Sequence, residues 1–338
     1  MTDAEQRPYF SITLSTRNRP ELFRVALASV TDQTFGAKEV IVVVDGSSDE
    51  NLRAYCALDE QYTQVTFHYL AHRPNGHGQS YSMNVGAANA GGDYLCFLDD
   101  DDQWTDERYL EKVHENIEAS ANRVDMHYAN QKAQFADGSP QTENVWLEDL
   151  IPRVGTRPHN HGNSYRVDAD FLFLSDGFAH LNCSIFRRGF YESIGGMDES
   201  IRYENDRDVY IRAVDAAEEV LFTTDYISLH NIPDVAKRTN MSTMASDIDK
   251  KLYQMRVYDK GIALAQKPAT VKHCRRGKVY ELKHTTSILA TQKRYRPAMH
   301  YAREALLSGF TLRWLAYTLF VSVQALLRPG YSGSEDPH

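Results

Sequence analysis

Residues 93–102 have the sequence Asp93-Tyr-Leu-Cys-Phe-Leu-Asp-Asp-Asp-Asp102, in which an apolar run ends in four consecutive carboxylates. Residues 94–98 have the composition of a short buried strand, and the Gly91-Gly92 pair before them is a turn signal. Open α/β sheets bind ligands beyond the C-terminal ends of their strands. Oxygen-rich sites there suit Mg²⁺ or Mn²⁺ carrying a diphosphate. The alternative is a solvated acidic loop that begins the segment after Trp104.

The residues before this run alternate between strand and helix patterns. Apolar, β-prone runs occupy residues 10–14, 40–44 and about 65–70. Helical patterns follow at residues 22–30, 51–61 and 80–90, and Pro20 suits the start of the first helix. The alternation predicts right-handed βαβ units and a doubly wound, mostly parallel sheet with its polar loops at one edge. Asp45, which ends the second strand, is therefore expected in the same crevice as Asp99 to Asp102.

The sequence after Trp104 predicts a helix over residues 107–120, a strand over 126–135 and an irregular stretch over 140–180. A strand over 183–186, a helix leading into Gly195-Gly196 and a helix entered from residues 204–212 follow. His159, His161 and His180 lie in the irregular stretch. A His-x-His pair in a loop is usually solvent-exposed; the other roles open to these residues are acceptor contacts or metal ligands.

Composition is that of a globular protein, with 42% hydrophobic and 25% charged residues over 338 positions. The polar start of the chain lacks the features of a signal peptide, so a cytoplasmic location is expected. The four cysteines are scattered, which indicates reduced structural thiols. The chain has neither a GxGxxG at the first helix nor a GxxxxGK[ST], so a dinucleotide fold and a P-loop ATPase are not supported.

Charge is distributed unevenly along the chain. Residues 250–303 hold 14 Lys/Arg against two acids, although the net charge of the whole chain is −9. Residues 314–327 are strongly apolar but too few to span a bilayer. They form either a buried docking helix or an interfacial helix that lies on a membrane with help from the basic stretch. Peripheral membrane association through residues 250–328 is therefore one expectation, and a solvated basic face is the other.

Five motifs follow one another along the chain. They are Ser11-Ile-Thr-Leu-Ser-Thr-Arg-Asn-Arg-Pro20, Val42-Val-Val-Asp45-Gly-Ser-Ser-Asp49, Asn75-Gly with Asn84-x-Gly86, Gly92-Asp-Tyr-Leu-Cys-Phe-Leu-Asp-Asp-Asp-Asp102, and Ile194-Gly-Gly-Met-Asp198-Glu. In this order they resemble the GT-A fold of glycosyltransferase family 2, and the resemblance covers about residues 9–245. It implies a GT-A domain over residues 1–245, with a nucleotide-sugar half at about 9–105 and an acceptor half at about 106–245. A basic helical region follows at residues 246–338.

The resemblance assigns roles to the donor-side residues. Asp99-x-Asp101 matches the family's DXD motif, which makes Asp101 the main metal ligand and places Asp99 nearer the ribose and phosphates. Asp100 and Asp102 are neighbours with less defined roles. Asp45 corresponds to the residue that receives the uracil edge, where a carboxylate accepts the N3–H. Thr16 lies in the loop that covers the nucleoside.

Arg19 and Arg73 carry the charge to help hold phosphate, although a surface role is common for arginine. The segment Leu229-His230-Asn231 with Arg238-Thr-Asn-Met-Ser242 resembles the family's closing segment. In that segment a histidine completes the metal shell, so His230 is either a metal ligand, better suited to Mn²⁺ than to Mg²⁺, or an ordinary loop histidine.

Transfer needs a base that takes the proton from the attacking hydroxyl. The family uses the Asp of a Glu-Asp pair before a helix, and Asp206 fits when residues 208–212 are laid on the family's continuation. The preceding residue here is Asn205, which leaves the assignment open between Asp206 and Glu204. These acids could instead cap the helix, and Asp208 is the candidate for that role.

The resemblance thus implies a metal-dependent, inverting glycosyltransferase that uses a nucleotide sugar, most simply a UDP-sugar, and a divalent metal (Mn²⁺ or Mg²⁺). The implied acceptor is a glycan or lipid-linked glycan in bacterial surface polysaccharide assembly, and no nucleic-acid partner is expected. A sugar-1-phosphate nucleotidyltransferase is an alternative, but residues 15–20 lack the glycines it needs. A non-catalytic glycan- or partner-binding protein on the same fold is the other alternative.

Overall fold

The computed structural model describes residues 7–143, 145–234 and 241–327. The chain divides into two compact units, Met1–Asn240 and Met241–His338. The first is an α/β unit around one sheet, and the second is helical.

The first half of the α/β unit is a parallel sheet of four strands in the order β3-β2-β1-β4. Three helices connect these strands, so the strand–helix alternation predicted from the sequence is confirmed. The strands are β1 (Phe10–Thr16), β2 (Lys38–Val44), β3 (Val65–Tyr69) and β4 (Tyr94–Asp99), and the helices are α1 (Pro20–Thr31), α2 (Asp49–Gln61) and α3 (Gln79–Ala88).

The apolar strand runs make this half of the sheet a buried layer. Ile12 of β1, Val42 of β2 and Cys96 of β4 are each 0% exposed. Helix α3 packs unusually close to β1, because a Cβ built on Gly86 would lie 2.2 Å from Cγ2 of Thr13. Burial on both faces is typical of a parallel sheet covered by crossover helices, and it leaves the strand ends as the place for polar side chains.

The second half of the sheet reverses direction after β4. Strand β8 (Ser184–Arg187) runs antiparallel to β4 and to β6 (Met126–Gln134), and β6 runs parallel to β9 (Val220–Asn231). Two short strands, β5 (Gln103–Trp104) and β7 (Ser164–Val167), pair antiparallel with β9. The helices are α4 (Tyr109–Glu118), α5 (Ala169–Leu172), α6 (Arg188–Ser193) and α7 (Asn205–Ala216), with 3₁₀ helices at Glu148–Thr156 and Leu181–Cys183.

The pairing of β5 with β9 is the feature that builds the site. Strand β5 follows the acidic run directly, and Gln103 pairs with Leu229 in the ladder. His230 is the next residue of β9, so this register brings it beside the acidic run. Residues 140–180, predicted to be irregular, contain β7, α5 and the longer 3₁₀ helix.

The second unit consists of helices packed in chain order around two small apolar clusters. One cluster joins Met255, Leu282 and Ala305, and the other joins Leu289, Ala298 and Val321. Within the described residues, no helix combines the length and hydropathy needed to cross a membrane. The helices are α8 (Met241–Met244), α9 (Asp247–Leu264), α10 (Pro268–Thr291), α11 (Tyr295–Ser308) and α12 (Leu312–Leu327).

Candidate active site

The four carboxylates at the end of β4 have different partners. Asp100 is 1% exposed, accepts a hydrogen bond of 2.7 Å from Oγ1 of Thr16, and forms an ion pair with Arg19. Burial raises the pKa of Asp100 to about 6, against the opposing effect of the Arg19 charge. Asp100 therefore belongs to the interior of the protein and anchors the loop after β1.

Arg19 also binds the next carboxylate of the run. Its Nη1 donates to Oδ2 of Asp101 at 2.8 Å, and the backbone carbonyl of Asp101 accepts from Nδ2 of Asn231 at 2.6 Å. Burial lowers the pKa of Arg19, but the charges of Asp100 and Asp101 outweigh burial and raise it overall. The sequence left open whether Arg19 helps to hold phosphate or lies at the surface. In the structure it forms ion pairs with Asp100 and Asp101 of the acidic run. Arg73 is exposed in the loop after β3.

Asp102 is tied to β9. Its Oδ2 lies 2.7 Å from Nδ1 of His230, and its Oδ1 accepts from the backbone N–H of Asn231 at 2.8 Å. Burial works against charge on both partners, yet their mutual attraction lowers the pKa of Asp102 and raises that of His230 to about 9. Because Nδ1 is engaged by Asp102, Nε2 is the nitrogen through which His230 could reach a metal.

Asp99 has a polar but uncharged neighbour on one side. Its Oδ1 accepts from Nε2 of Gln79 at 2.6 Å, and its backbone N–H donates to Oδ1 of Asn182 at 3.0 Å. Burial, followed by the charges of Asp102 and Asp101, raises the pKa of Asp99 well above its ordinary value. Asp99 is thus the carboxylate of the run whose charge is least compensated by the protein.

Asp45 directly follows β2 and holds the loop after β3. It is 4% exposed, and its two oxygens accept the backbone N–H groups of His77 at 2.7 Å and Gly78 at 2.9 Å. The loop comes so close that a Cβ on Gly76, whose φ is +63°, would lie 2.6 Å from Oδ2 of Asp45. Each carboxylate oxygen has a second lone pair, so this anchoring is compatible with accepting one more hydrogen bond.

Thr16 was expected in a loop over the nucleoside, but it is the last residue of β1 and is 2% exposed. Its hydroxyl lies 2.8 Å from the hydroxyl of Tyr55 and donates to Asp100. These two hydrogen bonds hold the start of the loop that follows β1.

The two candidate bases stand at the start of α7. Glu204 has a left-handed backbone (φ +65°) and forms an ion pair with Arg207. Burial, followed by the charge of Glu204, raises the pKa of Asp206 to about 6. An ionised carboxylate whose pKa is near neutrality is more basic than one with an ordinary pKa, and it is therefore the better proton acceptor. The prediction that Asp208 caps this helix is wrong, because Glu204 occupies the N-cap position and Asp208 lies inside the first turn. Asp208 is buried and pairs with Arg212 at 2.8 Å.

His180 joins the donor-side carboxylates to the candidate base. Its Nδ1 accepts a hydrogen bond of 3.3 Å from the backbone N–H of Asn182, so the neutral ring carries its proton on Nε2. Nε2 lies 3.7 Å from Oδ2 of Asp99 and 3.8 Å from Oδ2 of Asp206. Burial, followed by the charge of His230, lowers the pKa of His180 to about 4. The sequence placed His180 with His159 and His161, which are both exposed.

Two groups of side chains have the composition of a metal site. Ligand atoms of Asp99, Asp101 and Asp102 lie within 4.8 Å of one another, and so do those of Asp102, His180 and His230. The two groups share Asp102. The first group consists of carboxylates alone, which suit Mg²⁺ or Mn²⁺, and the second adds two imidazoles, which favour Mn²⁺. The residues present therefore fit a divalent ion. The predicted ligands Asp101 and His230 fall in different groups. Residues 238–240 of the predicted closing segment, and the side chains of Met241 and Ser242, lie outside the described part of the chain.

A doubly wound sheet with a reversed second half and carboxylates at the end of β4 defines a protein of the GT-A fold. The chain belongs to glycosyl transferase family 2, whose model matches residues 11–195. That match covers more than half of the chain and confirms the family resemblance.

Two curated relatives are bacterial glycosyltransferases. The amylovoran biosynthesis glycosyltransferase AmsB of Erwinia amylovora is 26% identical over 206 residues, which are 60% of this chain and 63% of that protein. The GalNAc(5)-diNAcBac-PP-undecaprenol beta-1,3-glucosyltransferase of Campylobacter jejuni is 31% identical over 96 residues, which are 28% of this chain and 30% of that protein. Both matches span less than two thirds of the relative's own length.

A solved structure shares the fold over most of the chain. S. aureus TarS 1–349 in complex with UDP-GlcNAc matches with a TM-score of 0.64 and 15% identity, covering 93% of this chain and 87% of that one. At this identity the likeness shows the fold.

Proposed function

We propose that this chain is a metal-dependent, inverting glycosyltransferase that transfers a sugar from a UDP-sugar to a hydroxyl of a glycan or lipid-linked glycan. The observation that carries the proposal is the arrangement around His180. Its Nε2 stands 3.7 Å from Asp99, at the metal-binding side, and 3.8 Å from Asp206, the candidate base. A glycosyl transfer needs these two functions on either side of the reacting carbon, and family membership supports assigning them to these residues.

On the donor side, Asp99, Asp101 and Asp102 would hold the divalent ion, and His230, in the second group that shares Asp102, would join them as a ligand in its neutral form. When bound, that ion neutralises the diphosphate as the bond to the sugar breaks. Asp45 would accept the N3–H of uracil through a lone pair not used by His77 and Gly78.

On the acceptor side, Asp206 would take the proton of the attacking hydroxyl. With a pKa of about 6 it is still mostly ionised at neutral pH, and its ionised form is a stronger base than that of an ordinary aspartate. Glu204 is committed to Arg207, which favours Asp206 of the two candidates. With one base and a direct attack, the anomeric configuration inverts.

The acceptor class is supported by the relatives' names. One relative acts in amylovoran biosynthesis, and another is named for an undecaprenol-linked acceptor. A lipid-linked glycan in bacterial surface polysaccharide assembly is therefore the acceptor proposed, with the enzyme working at the inner face of the membrane.

The test is UDP binding by titration calorimetry with and without Mn²⁺. We expect Mn²⁺ to tighten UDP binding, and Asp101→Ala to remove that dependence. Asp170→Ala, an exposed aspartate on α5, is the matched control and should behave like the wild type. Equal UDP affinity with and without metal would refute the donor-site proposal. Metal-dependent hydrolysis of UDP-sugars without acceptor then separates an enzyme from a protein that only binds.

A further inference from the structure

Helix α12 exposes an apolar stripe along its whole length. The side chains recur at helical spacing, and Leu319, Phe320 and Leu326 are 59%, 52% and 78% exposed. Side chains placed three, four and seven residues apart share one face of a helix. The stripe consists of Leu312, Leu319, Phe320, Val323, Leu326 and Leu327.

The opposite face of α12 is already packed within its own unit. Thr318, Val321 and Ala325 are buried, and Nε1 of Trp314 donates to the backbone carbonyl of Ala302 on α11 at 3.0 Å. The helix is therefore held in place by α11, and the stripe faces outward on a fixed element. Residues 314–327 contain no charged side chain that would favour exposure of this face to water. Large exposed apolar surfaces mark interaction sites.

The charge of the helices in this unit decides between the possible occupants. Residues 250–303 hold 14 Lys/Arg against two acids. On α11 the exposed ionisable side chains are Arg296, His300, Arg303 and one acid, Glu304, which lies 3.8 Å from His300. Arg313 is exposed at the start of α12 itself. Two copies of this chain would bring two such basic segments together, and like charges repel. An anionic surface would instead attract them.

We infer that the α12 stripe is a membrane-docking surface that inserts into the headgroup region of an anionic bilayer. The stripe supplies apolar burial, and the basic side chains of α10 and α11 supply attraction to the lipid headgroups. A membrane-docking surface would bring the enzyme to a lipid-linked acceptor, so the biological purpose of this surface rests on the proposed function. Its test, however, does not depend on catalysis.

The test is co-sedimentation of the full chain with vesicles of phosphatidylcholine alone and of phosphatidylcholine mixed equally with phosphatidylglycerol. We expect binding to the anionic vesicles that weakens as salt is raised, because salt screens exposed charges. Leu319→Asp and, independently, Leu326→Asp should each weaken binding by about tenfold or more, since each loses the burial of a leucine. Leu264→Asp is the matched control, because Leu264 is 65% exposed at the end of α9, outside the stripe. It should leave vesicle binding unchanged.

Three results with vesicles would overturn the inference. They are absence of wild-type binding to the anionic vesicles, equal binding to both vesicle types, and full binding by both stripe variants. A dimer in light scattering that Leu319→Asp dissolves, without vesicle binding, would make a second copy the occupant and would also overturn it. UDP binding with Mn²⁺, measured on the same preparations, reports on the donor site separately, so the failure of one proposal can be distinguished from the failure of the other.

Discussion

The pH dependence of transfer gives the sharpest test of the proposed base. Burial and the neighbouring Glu204 raise the pKa of Asp206 from its ordinary 3.8 to about 6. A general base works in its ionised form, so activity should fall as the pH drops through this value. At pH 5 roughly one Asp206 in ten would be ionised, and kcat/KM should fall about tenfold for each further pH unit.

An acid limb alone does not identify the base, because the pKa of Asp100 is also raised to about 6. A change at Glu204 distinguishes Asp206 from Asp100. The charge of Glu204 raises the pKa of Asp206, whereas the pKa of Asp100 is raised by burial and by other neighbours. Glu204→Gln should therefore move the acid limb to lower pH. Glu192→Gln, an exposed residue on α6, removes a glutamate charge elsewhere and should leave the limb in place.

The assay is UDP release at saturating metal from pH 5 to 8, with UDP binding measured by calorimetry at the same pH values. Binding that stays constant while kcat falls assigns the limb to the transfer step. Asp206→Asn should lower kcat by about 10²- to 10⁴-fold with UDP affinity retained. The assignment of Asp206 fails if Asp206→Asn keeps full turnover, or if Glu204→Gln leaves the limb where it was.

Three further changes test the site and its scaffold. His180→Phe removes the proton on Nε2 between the two carboxylates, and it should lower kcat about tenfold with UDP affinity unchanged. His180→Gln keeps a hydrogen-bond donor and should restore most of the loss. Steady-state kcat and KM test both expectations. Asp208→Ala leaves the Arg212 charge without its buried partner and should cost about 3–5 kcal/mol in urea unfolding, an expectation that an unchanged midpoint would contradict. Gly277→Ala places a Cβ 2.3 Å from the Tyr258 ring and should lower stability by about 1–3 kcal/mol in the same measurement; a stability equal to the wild type would show that the ring moves aside freely.

The parallel half of the sheet could be predicted because its determinants are local. Each of the strands β1, β2 and β4 is a short apolar run bounded by turn residues, and these runs carry their own signal. The antiparallel half depends on pairings between distant segments. Nothing within the two residues of β5 predicts that Gln103 pairs with Leu229, and that pairing brings β9 to the acidic run.

The same contrast between local signals and distant contacts explains which site residues could be found from the sequence. The acidic run and Asp206 stand out in the sequence, but the partner of each carboxylate depends on tertiary contacts. The interpretation of Asp208 as a cap followed a common preference of helix starts, although Arg212 four residues later was a visible signal for an ion pair within the helix. The position of Arg19 in the short loop between β1 and α1 was the corresponding signal for its contact with the acidic run.

The charges of the site also bear on the metal. Arg19 is shared by Asp100 and Asp101, and His230 is paired with Asp102. His180 is neutral because its pKa is lowered to about 4. In the proposed enzyme, burial and the charges of Asp102 and Asp101 raise the pKa of Asp99, so a proton competes with the metal ion for this carboxylate. Metal affinity should then rise with pH, even for the protein without nucleotide.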